Sequence, residues 1–504
     1  MRAVFWLLGA CVLHAQTFSE WAFPAADHRL HYLTDGRGNS IMDFSSAGYR
    51  GGGVELPSVV TTQRLTSAAG DNTARIQAAL NQAALVQASL GHAGGAVVLA
   101  PGEYELAGTL SMTHSGVVLR GETGANIRLT GKPHGFLEIH GSGTWREEGS
   151  PAPVLDSYVP AGAASFRVRG ASTLHPGDHV LVLRPVTAEW IGFMGMAQSQ
   201  SWVRPGSVIR TDRTIESVEG ERVTLDVPLS DALDSRFTAA SLVRYSFPGR
   251  ITEVGVEGLR ITAAYEHGSE AGPQYPALSM DAVEDGWVRD MEFHETQNGV
   301  AIGPRAKRVT LTNVSIKHSS DSGSAHLGSP VPADFALAGT QILLDRCRVS
   351  GESAAPMVTE GETAGPLVVL NFTADHGGVA PRQGWTTGVL VDGGAFPGAT
   401  DQRPGVAFGN ASLAGAGDAW DIGWAVAWNV TSPYVLVQQP PGALNWCIGC
   451  IGAPVTMGST PNGIFDSPGK MVIPSSLYLQ QLRDRLGPDA LRNIGYSENK
   501  LKLL

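Results

Sequence analysis

The segment "GPRAKRVTLTNVSIKHSSDSGSAH" gathers Arg305, Lys307, Arg308, Lys317 and His318 in a chain that is otherwise acidic. Cations so grouped suit the carboxylates of a uronic-acid polymer, which Arg holds with two parallel hydrogen bonds. Cleaving such a polymer by β-elimination takes three groups: a cation to neutralise the C6 carboxylate, a base for the C5 proton and an acid for the leaving oxygen. Lys317, His318, His376, Arg382 and Tyr434 are of suitable types. Taken singly, each cation reads more simply as a solvated surface charge. Hydrolysis asks instead for two carboxyl groups roughly 5–9.5 Å apart, and Asp418 with Asp421, or Asp375 with Asp392, are the pairs on offer.

A second constellation is aromatic. In "GAGDAWDIGWAVAWNV", Trp420, Trp424 and Trp428 recur every four residues, a spacing that shares one face of a strand and roughly one side of a helix. Flat sugar faces stack on indoles, so with Trp385 and Arg308 these rings are the expected substrate-binding surface. The simpler alternative is that the 381–388 and 411–418 loops fold over them as a satellite core.

The elements that must position these groups are short strands. Gly is 62 of 504 residues and charged residues are 16%, against roughly 7% and 25% in ordinary proteins. Only 71–90 and 474–493 read as amphipathic helices. From 251 onward, strand runs end at polar turn residues: Asp290, Asn313, Arg346, Asn371, Asp392, Asn410 and Asn429, with separations of 23, 33, 25, 21, 18 and 19 residues. A parallel β-helix tolerates this variable period because one turn of a coil can swell while the strands keep register. A β-propeller would repeat more regularly, at about 40 residues. Counting back from each turn places Val309, Leu311, Leu367, Val369, Gly423, Ala425 and Ala427 inward, and Trp420, Ile422, Trp424, Val426 and Trp428 outward.

The start "MRAVFWLLGACVLHAQ" has the layout of a secretory signal cut after Ala15; lipid attachment at Cys11 is the alternative. Export to the periplasm or the medium is therefore expected, without stable membrane insertion, since no other run approaches the roughly 18–20 apolar residues of a span. The net charge of −11 argues against nucleic acid as a partner. The pair in "CIGC", Cys447 and Cys450, lacks the further ligands of a zinc site. It reads as small apolar residues with at most one disulfide. The residues point to no metal ligands and leave any cofactor open.

The capped helix at 71–90, then "GGAVVLAPGEYEL" and "SGVVLRGE", resembles the entry segment of the pectate-lyase superfamily, whose members fold as right-handed parallel β-helices. A second set, "DFSSAGYRGG", "ILLDRC", "GWTTGVLVDG", "GWAVAWN", "PPGALNWCIGC" and "SLYLQQLRDRLG", is similar to secreted pectin-lyase-like proteins. That resemblance implies basic residues or His in the segments that here read "PADF", "PRQGW" and "GDAW". Arg382 keeps the basic character, whereas Asp418 stands where the resemblance implies His. The Asp-pair and Gly-His-Gly signatures of polygalacturonase-type hydrolases are absent, as are the clustered acidic calcium ligands of the main pectate lyases.

The expectation is thus an all-β, right-handed parallel β-helix: signal 1–15, cap and first coils 16–140, inserted β module 141–250, main helix 251–470, and a helical C-terminal cap 471–504. Its helices are expected to cover the open ends of the coil stack. The expected function is cleavage of an acidic polysaccharide by a lyase mechanism, with glycoside hydrolysis and non-catalytic glycan binding as alternatives. The site residues would be Lys317, His318, His376, Arg382 and Asp418 for chemistry, and Arg308, Trp385, Trp420, Trp424 and Trp428 for binding.

Overall fold

A computed structural model describes residues 17–90, 95–199, 202–263, 276–296, 298–319, 332–353, 355–410, 419–457 and 460–498. The segment before residue 17, with the expected signal and Cys11, and Asp418 lie outside them. The chain winds as a three-faced parallel β-helix, and its first sheet orders the coils. Residues in equivalent positions pair from coil to coil: Val97 with Leu119, then Val256, Val288, Leu311, Leu344, Val369, Val391, Ala427, Cys447 and Phe465. All but the partly buried Phe465 belong to the buried lumen cluster. Near-continuous apolar runs form these strands because a parallel sheet is covered on both faces.

The corner after this sheet needs a left-handed residue, and Asp290, Asn313, Arg346, Asn371 and Asn429 supply it, with φ between 50 and 54°. Asp and Asn tolerate that region better than other side chains. At the fifth expected turn the conformation falls to Gly393 rather than Asp392. A second left-handed row lies five positions upstream, at Asp285, Arg308, Gln341 and Trp424, with φ of 55–58°. It corrects the inward and outward assignment. The strand is broken at Trp424, so side-chain parity changes there. Ile422 lies in the lumen with Ala425 and Ala427, while a Cβ on Gly423 would meet the Trp385 ring outside, 2.4 Å away.

The helix Thr73–Leu90 starts where Asp71 Oδ1 accepts the Thr73 N–H at 2.9 Å. Its Ile76, Ala79, Leu80 and Ala83 join the lumen cluster. The C-terminal helix Leu477–Leu486 does not cover the other end. It packs instead on the outer face of the first sheet, where Leu477, Tyr478 and Leu482 share a core with Val368, Leu390 and Trp428. Apolar residues on both faces of these strands leave an outer surface that must be buried, and the helix buries it.

Between Leu137–His140 and Ile251–Glu257 the chain leaves the coil. It builds an antiparallel sheet that includes Arg146–Pro153, His179–Pro185, Val208–Glu219 and Ser241–Ser246 around its own apolar core. Exit and return lie side by side, since the Ser142 N–H donates to the Gly249 carbonyl at 2.8 Å. Cys447 and Cys450 are joined by a disulfide, and Cys347 is buried and free. No helix among the described residues is long and apolar enough to cross a membrane.

Candidate active-site cleft

The inserted module leans over the corner where each coil passes from its third sheet back to its first. A cavity of about 380 Å³ opens there between Trp145, Val208, Arg210, Asp212 and Arg250 of the module and three consecutive coil corners at 304–306, 338–340 and 360–364. Its floor is an ionic network. Asp212 accepts from Lys307 Nζ at 2.8 Å, Tyr245 Oη at 2.7 Å and Arg250 Nη2 at 3.0 Å. Burial pushes the Asp212 carboxyl up, but Lys307 and Arg250 outweigh it and hold the group well below the usual carboxylate range. Lys307 itself is wholly buried.

The walls differ. Trp145 is only partly buried, and its Nε1–H points to Asp212 Oδ2 at 3.3 Å. Facing it, Glu360 takes a hydrogen bond from Arg382 Nη2 at 2.6 Å, and Glu362, two residues on, is exposed. Arg210 is exposed on the module side, and Arg250 Nε is buried with no hydrogen-bond partner. A pocket with one open ring and convergent carboxyl and cationic groups is the usual form of a small-molecule or polymer site.

The residues expected from sequence divide between two corners. Arg382, as partner of Glu360, belongs beside the cleft, and Arg308 lies near it, bound bidentately to Asp285 at 2.8 and 2.7 Å. Lys317, His318 and His376 sit at the other corner, between the second and third sheets, so they do not join Arg382 in one constellation. There Lys317 pairs with Glu292 at 3.3 Å and His376 with Glu352 at 3.5 Å. His318 Nε2 lies 2.7 Å from Asp334 Oδ1, whose other oxygen accepts from Ser353 Oγ. Burial opposes the charged imidazole, but Asp334 outweighs it and raises the His318 pKa.

The tryptophan platform is corrected outright. Trp420, Trp424 and Trp428 do leave the lumen, but they are 4%, 4% and 0% exposed, and Trp385 is 2% exposed. No sugar ring can stack on them. Of the two loops named as a cover, 411–418 lies outside the described residues, and 381–388 supplies Trp385 to the same buried cluster. Trp190, Ile191 and Trp202 of the module and the C-terminal helix pack over them. Their N–H groups are also used: Trp385 and Trp424 donate to the two oxygens of Asp231, each at 2.9 Å, and Trp428 donates to the Pro474 carbonyl at 2.8 Å.

Two carboxyls named from sequence have structural places. Asp392 accepts from Ser476 Oγ and the Tyr478 N–H at 2.7 and 2.8 Å, capping the C-terminal helix, and burial pushes its pKa up to about 7. Asp421 is buried beneath the module, with its pKa pushed up by burial to about 8. Sequence reasoning missed Trp145, Asp212, Arg250, Glu360 and Glu362. The paired acids in "TEGET" were a visible signal; the module residues approach only through folding, from dozens to some two hundred positions away.

No protein-family model matches the chain, and no curated protein matches it. Several solved structures are similar. The tailspike Gp54 of Acinetobacter baumannii bacteriophage AP22, in complex with A. baumannii capsular saccharide, shares 13% identity over 77% of this chain at a TM-score of 0.38. This chain spans about half that protein's length (51%). The tailspike gp49 of Pseudomonas phage LKA1 shares 15% identity over 77% of this chain and 70% of its own, at 0.40. A polygalacturonase from Erwinia carotovora shares 10% over 81% and 91%, at 0.34. The fold assignment rests on the strand pairing above.

Proposed function

We propose that the protein binds an extended polysaccharide in the cleft and hydrolyses a glycosidic bond there, with Glu360 and Glu362 as the two carboxyl groups. The observation that carries this reading is their position. Two glutamates on one corner line the cleft with a partly open indole, Glu362 exposed and Glu360 held by Arg382, whereas the nearby cations Lys307 and Arg308 are engaged with Asp212 and Asp285. Hydrolysis needs one carboxyl to protonate the leaving oxygen and another to activate water or attack the anomeric carbon. Arg382 fixes the rotamer of Glu360, and Glu362 is open to solvent and proton exchange. Trp145 offers the flat apolar surface that a pyranose ring covers. Export, as the N-terminal segment suggests, would bring the cleft to its polymer.

Elimination on a uronate is the second reading, supported by Arg210 and Arg250 on the same wall, the latter with its Nε unpartnered. Incubation with polygalacturonate, alginate, pullulan and laminarin separates the two. New reducing ends without ultraviolet absorbance from an unsaturated uronate support hydrolysis, and both together support elimination. Glu360→Gln and Glu362→Gln should each lower turnover about 10²–10⁴-fold, the usual worth of an acid or base group. Full turnover in either variant removes that glutamate from the chemistry.

A further inference from the structure

A second pocket lies farther along the same edge of the coil stack. The cleft occupies three consecutive coil corners; the next corner carries Trp385 and the second after that carries 441–443, and these two line the second pocket. With strands 4.7–4.9 Å apart, the two centres are separated by about 15 Å along the stack. At the mouth, the rings of Phe193 and Phe237 stack with centroids 4.5 Å apart, and Phe193 is 40% exposed. Charged groups surround them: Arg37 and Arg236 both donate to Asp234 at 2.7 Å. Behind the rings is a cavity of about 30 Å³, room for a water. The guanidinium of Arg184 lies beside it, 7% exposed. Its Nε and Nη1 have no hydrogen-bond partner, and Nη1 is 3.6 Å from Asp231.

We infer that this pocket is a second saccharide-binding site, in which a pyranose ring of the same polymer lies on Phe193, held in place by Phe237 behind it. The inference rests on the polysaccharide reading of the cleft. An exposed ring, Phe193, backed by the partly buried Phe237 within a rim of guanidinium and carboxylate groups, matches a sugar, which has an apolar C–H face and hydroxyls around its edge. A water in the small cavity links a hydroxyl to Arg184, and so satisfies a buried donor that is costly to leave unmade. An apolar ligand would leave both the rim and Arg184 unanswered. Because this site is several coils from the cleft, it contributes only to chains long enough to reach both, by raising the effective concentration of the second contact.

The test is affinity electrophoresis of the full chain in gels cast with polygalacturonate, alginate, pullulan or laminarin. It is followed by titration with short and long oligosaccharides prepared from whichever polymer retards it. Phe193→Ala and the double variant F193A/F237A should lose affinity several-fold for the polymer and the long oligosaccharides, and keep the wild-type affinity for the trisaccharide. Trp145→Ala should weaken both. Because the Phe193 ring is half in solvent, the single variant keeps the fold, which a thermal melt verifies. Equal affinity of wild type and Phe193→Ala for the polymer overturns this inference and leaves the cleft reading standing. No retardation of the wild type by any of the four overturns both.

Discussion

Trp424 donates its indole N–H to Asp231 at 2.9 Å, tying a coil of the β-helix to the inserted module. The same carboxylate receives Trp385 through its other oxygen. Trp424→Ala should therefore cost about 3–5 kcal/mol, as large core truncations do. Asp231→Ala should cost about 1–3 kcal/mol by stranding two buried donors. Chemical denaturation measures both, and a midpoint unchanged by Trp424→Ala would return that ring to the surface.

Ala427 occupies the lumen between Val391 and Cys447 of the adjoining coils. Ala427→Leu should destabilise by about 1–3 kcal/mol through overpacking, whereas Val60→Leu, at a site 77% exposed, should leave the midpoint within the noise. The pair of melts tests the lumen assignment directly.

Lys307 is fully buried against Asp212. Lys307→Met leaves that carboxylate short of a counter-charge and should cost about 3–5 kcal/mol. Adding Asp212→Asn should recover part of the loss, and strict additivity of the two substitutions would show that the pair is not coupled.

Asp392 and Asp421 titrate near 7 and 8 because burial disfavours their charged forms, whereas an unfolded Asp ionises near 4. Their neutral forms thus hold the native state fully below about pH 4. That contribution is lost progressively as pH rises from about 4 to about 8, over which only the unfolded chain releases the protons. Thermal midpoints should fall across this range, and Asp421→Asn should flatten the fall. An identical pH profile in the variant would assign the loss elsewhere.

Trp145 is partly exposed in the cleft, with its N–H directed at Asp212. Trp145→Ala should weaken polysaccharide binding by about 0.5–1.5 kcal/mol with little change in stability. Calorimetric titration and a melt of the same sample read the two quantities separately.

The coil stack was legible because its rules are local. A left-handed corner selects Asn or Asp, and a two-residue alternation selects the lumen, so Asn313, Asn371 and Asn429 could be placed from sequence. The rule failed at Trp424, where a left-handed residue that no local preference favours changes the parity and exchanges the faces of Ile422 and Gly423. The site was less legible because outward does not mean exposed. Trp428 leaves the lumen as expected, yet a helix about 50 positions later in the chain covers it. Cations were chosen by type, and a parallel coil carries every corner residue to its own edge, so His318 and Arg382 ended on different edges. Asp212 and Trp145 come from a module whose docking no periodicity encodes.

The hinge of that module has a further consequence. Ser142 and Gly249 stand one hydrogen bond apart, and the strands on either side pair as though the intervening chain were not there: Val118 meets Gly255, and Leu137 meets Leu278. The chain therefore enters and leaves the module at one place on the stack, while Asp212 against Lys307 and Asp231 against Trp385 and Trp424 dock it along the side. A different attachment entering at the same place would have to answer those docking residues as well, and would then set another wall beside an unchanged row of glutamates and arginines.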